Sequence, residues 1–96
     1  MSMQIRYDDN DPLAEYYQLL NELRVCTDKL RPWYDIDKVK PWSVYVWTKG
    51  EDGQNVFDIE ADRIVSYVDG HKIPGDAISV IEEIMNKLKE IERWGK

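Results

Sequence analysis

Among the side chains able to do chemistry, carboxylates dominate, with 19 Asp and Glu against 13 Lys and Arg, one His and one Cys. Nucleophilic catalysis needs a thiol or hydroxyl within reach of a base. Cys26 shares the helical phase of Leu19, Leu23 and Leu30, which marks a buried apolar residue rather than a reactive thiolate. His71 stands in a turn beside Lys72 with no identifiable Ser or Cys partner, and reads as a surface turn residue. Acid–base catalysis by paired carboxylates needs one member with a raised pKa; chance pairs are expected here, and no feature of the sequence marks one. Asp58, Glu60 and Asp62 alternate along one run, but same-face neighbours on an extended strand lie about 7 Å apart, too wide for a compact cation cage. Glu51-Asp52-Gly53 lacks the spacing of a calcium-binding loop. The expectation is a non-enzymatic protein without metal or cofactor, whose chemistry is recognition.

Charge then limits what it recognises. Glu51, Asp52, Asp58, Glu60 and Asp62 lie in a run with no basic residue, and Asp8, Asp9 and Asp11 form a second acidic group. With a formal charge of −6 and a pI near 4.7, the chain repels phosphate backbones and anionic lipid headgroups, so neither nucleic acid nor a membrane is an expected partner. The acidic run suits a basic protein groove, in the limit by imitating the phosphate spacing of nucleic acid. On the alternative reading it is a solvated face that keeps the protein soluble.

Aromatic side chains supply the second half of a binding surface. Trp42 to Thr48 carries large apolar residues at both parities, whereas a half-buried strand alternates apolar with polar. Val44 and Val46 inward puts Tyr45 and Trp47 outward; the reverse exposes Trp42, Val44 and Val46. An aromatic anchor buries about 150–250 Å², or several kcal/mol at about 25 cal/mol per Å² before association costs. The partner-binding residues expected are Tyr45, Trp47, Glu51, Asp52, Asp58, Glu60 and Asp62, with Asp58 and Glu60 facing water. In the alternative, the arm or the Trp33 linker covers the aromatics, or the exposed face joins copies of the chain into a homo-oligomer.

The elements that position these residues follow from periodicity. Residues 1–10 form a short arm, with Gln4 to Tyr7 able to add an edge strand. Asp11-Pro12 is a helix start, the Asp capping free amides and the Pro lacking only an orphan donor. The helix runs to about Leu30, with a stripe of Leu13, Tyr16, Leu20, Leu23 and Leu30 flanked by Tyr17, Leu19 and Cys26, and Pro32 ends it. The linker from Pro32 to Pro41 has Trp33, Tyr34, Ile36 and Val39 to keep it ordered. Strands follow at Trp42–Thr48, Val56–Glu60 and Arg63–Val68, separated by a Gly-containing hairpin loop and the tight Ala61-Asp62 turn, hence antiparallel. Asp76 caps a last helix to Trp94, with Ala77, Ile81, Ile84, Leu88 and Ile91 as its stripe, widened by Ile78, Val80 and Met85, and Gly95 closes it.

The fold expected is therefore α+β: helix, three-stranded antiparallel sheet, helix, with both helices on one sheet face. Ninety-six residues with 43% hydrophobic and 33% charged fit a single domain, 1–96, with one core. One cysteine suits a reducing compartment, and the start lacks the basic and apolar runs of a signal peptide, so a cytosolic protein is expected.

The element order resembles the double-stranded RNA-binding domain, which presents lysines at the start of its second helix. Here that position reads Gly75-Asp76-Ala77-Ile78-Ser79-Val80-Ile81-Glu82-Glu83, acidic where the family is basic, so the resemblance implies the fold and not RNA binding. In topology, size and charge, with no shared motif, the chain also looks like some small acidic phage-encoded inhibitors of CRISPR nucleases, which imitate DNA. That resemblance implies an inhibitor of a nucleic-acid-binding enzyme.

Overall fold

The computed structural model describes residues 13–66 and 68–94, apart from the side chains of Lys38 and Ser66. The expected arm over 1–10, the Asp11-Pro12 helix start and the Gly95 helix end lie outside these residues. Helix α1 spans Ala14–Asp28, followed by strands β1 (Asp35–Lys40), β2 (Ser43–Trp47), β3 (Asn55–Ile59) and β4 (Ile64–Ser66) and helix α2 (Gly75–Trp94). The strands form an antiparallel sheet in the order β1-β2-β3-β4.

Four strands among the described residues correct the expected three, and the addition is the stretch read as a linker. Ile36 and Val39 pair with Val46 and Val44, so both belong to the inward face although they are three apart. A bulge between Ile36 and Lys38 inserts Asp37 as an extra residue, which hides the period of two. Pro41-Trp42 then makes the two-residue turn that sets Lys40 against Ser43.

Strand β2 has Val44 and Val46 fully buried and Tyr45 and Trp47 half-buried on the opposite face. On β3 a second bulge inserts Val56 beside Phe57, as the extra residue between the pairs Val46–Phe57 and Trp47–Asn55. Both are buried at 1% exposure, and Asn55 shares the outer face with its partner Trp47. The expected common parity of Val56, Asp58 and Glu60 is broken there.

Helix α2 buries Ala77, Ile81, Ile84, Leu88 and Ile91, the stripe its sequence spacing dictates, whereas Ile78 is exposed. It starts at Gly75, so Asp76 lies in the first turn rather than before it, where its charge still favours the helix dipole. On α1 the buried residues are Leu19, Leu23, Cys26 and Thr27, with Leu13 and Tyr17 exposed. Successive three-residue backbone bonds, Leu30 N–H to Thr27 at 3.0 Å and Arg31 N–H to Asp28 at 3.2 Å, tighten the chain after Asp28 before Pro32 is reached. Both helices share one core with Val44, Val46, Phe57 and Ile59 of the sheet. Leu88 and Ile84 are wholly buried there, and truncating either to alanine costs about 2–5 kcal/mol.

Two ion pairs clamp α1 to α2. Lys87 bonds Glu22, and Lys29 Nζ lies 2.7 Å from Glu83 Oε2. The Cys26 thiol also donates to Glu83, at 3.2 Å.

Candidate functional site

The register sorts the expected binding residues into two groups. Trp47 pairs with Asp35 on one side and Asn55 on the other, whereas Ser43 and Val44 lie at the opposite strand end with Lys40 and Ile59. Trp47 lies four residue steps from Ser43, about 13 Å along the strand. Trp47, Glu51 and Asp52 therefore belong to one end of the sheet. Glu60 and Asp62, in the β3–β4 turn, belong to the other, where Glu60 pairs with Arg63 at 3.2 Å.

Asp58 departs from expectation. It faces away from Val44 and Ile59 as the alternation requires, yet it is only 8% exposed. Its Oδ1 accepts from Asn55 Nδ2 at 3.1 Å, and the same amide donates to the Val46 carbonyl at 3.0 Å. Its carboxylate thus serves the sheet, fixing the bulge, and is not presented to solvent. Tyr45, its cross-strand partner, is half-buried, and Lys40 Nζ stands 5.1 Å from the Tyr45 ring and 5.5 Å from that of Trp42. Trp42 is the aromatic that sequence reading left out of the site, and it is 64% exposed.

Around Trp47 the fold builds a cavity of about 470 Å³ from three segments. Arg31 comes from the turn after α1, Asp35 and Asp37 from β1, and Trp47, Glu51 and the loop glycines Gly50 and Gly53 from the β2–β3 hairpin. The hairpin is tied by Thr48 N–H to the Gln54 carbonyl at 3.0 Å, Gln54 N–H to Thr48 Oγ1 at 2.9 Å and Gly53 N–H to the Gly50 carbonyl at 3.1 Å. Gly50 has φ +107°, a left-handed conformation glycine adopts freely. Lys49 Nζ bonds the Arg31 carbonyl at 2.8 Å, which joins the hairpin to the end of α1.

The charges on this cavity are unequal. Arg31 Nε is matched by Asp28 Oδ1 at 3.0 Å, while the carboxylates of Asp35, Asp37 and Glu51 make no hydrogen bond or ion pair among the described residues. Sequence reading missed Asp35 and Asp37 by leaving them in the linker from Pro32 to Pro41. Their grouping was legible in the order Asp-Ile-Asp-Lys-Val-Lys, which sends the acids to one strand end and the lysines toward the other. Among the described residues, no group of three or more His, Cys, Asp or Glu is arranged to hold a metal ion.

The groups with nucleophilic or acid–base potential lie elsewhere. Burial pushes the Cys26 thiol above its ordinary pKa and the Glu83 bond adds to this, which holds it in the unreactive form. His71 is half-buried and not a free surface residue: its Nε2 lies 2.6 Å from the Tyr34 hydroxyl, itself on a side chain only 3% exposed. Among the described residues no helix is long and apolar enough to cross a membrane. No protein-family model matches the chain, and no curated protein or solved structure matches it.

Proposed function

We propose that the protein is a cytosolic, non-enzymatic binding domain that recognises a basic surface on another protein. The partner class is a nucleic-acid-binding enzyme, which the domain inhibits by presenting carboxylates where phosphates would lie. The observation that supports this reading is the convergence of Asp35, Asp37 and Glu51, none of them ion-paired among the described residues, on a cavity that Trp47 also lines. Carboxylates left unpaired at a preformed site gain charge-assisted hydrogen bonds on association, and a net charge of −6 steers a basic partner toward them. Relative to the sequence expectation, the site loses Asp58 and gains Asp35 and Asp37. Glu60 and Asp62 serve a second, separate contact.

The test is capture from lysate by tagged protein after nuclease treatment, with identification by mass spectrometry. Salt-sensitive enrichment of one basic protein, lost on Asp35→Lys with Glu51→Lys and competed by duplex nucleic acid, is the expected result. Capture that survives the charge reversal refutes the site.

A second reading rests on Trp42, 64% exposed beside Tyr45 on the outer sheet face. That face joins two copies of the chain, and the solution mass then rises with concentration. A strict monomer at high concentration, unaltered by Trp42→Ala, removes it.

A further inference from the structure

We infer that β1 is a dimerisation edge. It pairs antiparallel with β1 of a second copy about a two-fold axis, so that Asp35 lies opposite the second copy's Lys40 and Ile36 opposite its Val39. The inference rests on neither reading above and starts from topology. Strand β1 is an outer strand of the sheet among the described residues and pairs with β2 along one side. The other row of N–H and C=O groups on such a strand is a template for a further strand.

The sequence of the edge selects its own copy as that strand. Asp-Ile-Asp-Lys-Val-Lys places its acids in the first half and its bases in the second. Laid against itself in reverse, each acid meets a base and Ile36 meets Val39, with the axis between Asp37 and Lys38. A parallel alignment would set like charge on like. An edge guarded only against aggregation is served by one sign of charge, which repels its copy in every orientation. This one attracts its copy in one orientation.

The bulge makes the faces agree. In a regular strand Ile36 and Val39 would lie on opposite faces, as would Asp35 and Lys40, whereas residues opposed across an antiparallel ladder share a face. The extra residue, Asp37, brings Ile36 and Val39 to the core face, against Val46 and Val44, and Asp35 and Lys40 to the outer face, against Trp47 and Ser43. On the core face Val39 is still 37% exposed although Val44 beside it is fully buried, and the second copy's Ile36 covers it. On the outer face neither Asp35 nor Lys40 has an ion pair among the described residues, Lys40 Nζ standing only over the Tyr45 and Trp42 rings.

The test is sedimentation equilibrium of the full chain from about 10 μM to about 1 mM, because an interface of one short strand per copy holds a dimer weakly. The expected mass rises with concentration from 11.4 kDa toward twice that value. Asp35→Lys/Asp37→Lys makes the edge wholly basic and Lys38→Glu/Lys40→Glu makes it wholly acidic. Each variant alone, with the parent's circular dichroism, should dimerise at least about tenfold more weakly, and mixing the two should restore the dimer. In a mixture of isotope-labelled and unlabelled parent, filtered nuclear Overhauser contacts should join Ile36 of one copy to Val39 of the other.

A strict monomer at the highest concentration would overturn the dimer and leave the basic-partner reading standing. Either charge variant dimerising alone as well as the parent, or a mixture that stays monomeric, would overturn the pairing of Asp35 with Lys40. A dimer abolished by Trp42→Ala yet kept by both charge variants would overturn the edge and put self-association on the outer sheet face.

Discussion

The Tyr34 hydroxyl and His71 Nε2 stand 2.6 Å apart, joining the turn before β1 to the connection between β4 and α2. The Phe57 ring packs edge-on to Tyr34 with centroids 5.3 Å apart, and lies 6.1 Å from His71. This three-ring group pins the 68–74 connection to the core. Tyr34→Phe keeps the rings and removes the bond, so it should destabilise the domain by about 1 kcal/mol, read as a lower urea midpoint at unchanged slope. His71→Ala should cost more, since it also strips the ring from Phe57. An unchanged midpoint in both variants contradicts the latch.

Gly53 is required by space, not by torsion. A β-carbon there would lie 2.5 Å from the Thr48 carbonyl oxygen and 3.1 Å from that of Gly50, both backbone atoms that cannot step aside without opening the hairpin. Gly53→Ala should therefore destabilise by more than about 1 kcal/mol, lowering Tm by roughly 4–8 °C per kcal/mol in a domain of this size. It should also shift the resonances of Trp47 and Glu51 that line the cavity. A Tm equal to the parent's would show that the hairpin yields cheaply.

The two interhelical ion pairs give stability a direction with pH. The Lys29 bond, then the Cys26 thiol, hold Glu83 below the usual glutamate range, and the Lys87 bond, then Gln18, do the same for Glu22. A carboxylate with a depressed folded pKa stabilises above its unfolded value, about 4.3, and loses that contribution as pH falls through the folded value. Lys29 and Lys87 are raised, chiefly by their bonds to Glu83 and Glu22, so their contribution is complete below about 10.4 and fades as pH rises through the folded values. The Glu22 and Glu83 side chains are 36% and 46% exposed, and solvent screening keeps each share small. Glu22→Gln/Glu83→Gln should flatten the acid limb of the stability profile between about pH 5 and pH 2. A double variant whose acid limb is as steep as the parent's assigns acid sensitivity to other carboxylates.

What was legible in the sequence followed regularity. The α2 stripe from Ala77 to Ile91 keeps helical spacing throughout, and its buried residues are those the spacing picks out. The β2 parity, left open by aromatics on both sides, is decided by Val44 and Val46 packing into the core. Both misreadings arise at bulges. Asp37 interrupts the alternation that would have declared β1 a strand, and the Val56–Phe57 bulge resets β3. The site suffers from the same cause, because the charges that converge on Trp47 come from β1 and from the hairpin, segments whose adjacency exists only through the register. Asp58 fails for a different reason: facing the outer side of a sheet guarantees no exposure when Asn55 folds over to bond the carboxylate.

Two buried hydroxyls in the fold have opposite status, and substitution should move stability in opposite directions. Thr27, 1% exposed, donates to the Arg24 carbonyl at 2.7 Å, so the hydroxyl is satisfied one turn back along α1. Ser43, 3% exposed, has an Oγ buried without a hydrogen-bond partner among the described residues. A buried orphan hydroxyl carries a desolvation penalty of about 1–3 kcal/mol that no bond offsets. Ser43→Ala deletes that atom with little change in volume, and should stabilise the domain by up to about 1 kcal/mol once lost packing is subtracted. Thr27→Val keeps shape and removes a working bond, and should destabilise by about 0.5–1.5 kcal/mol. Urea unfolding of the two variants beside the parent reads the difference, and a loss of stability in Ser43→Ala as large as that in Thr27→Val would mean that the Ser43 hydroxyl is engaged in solution.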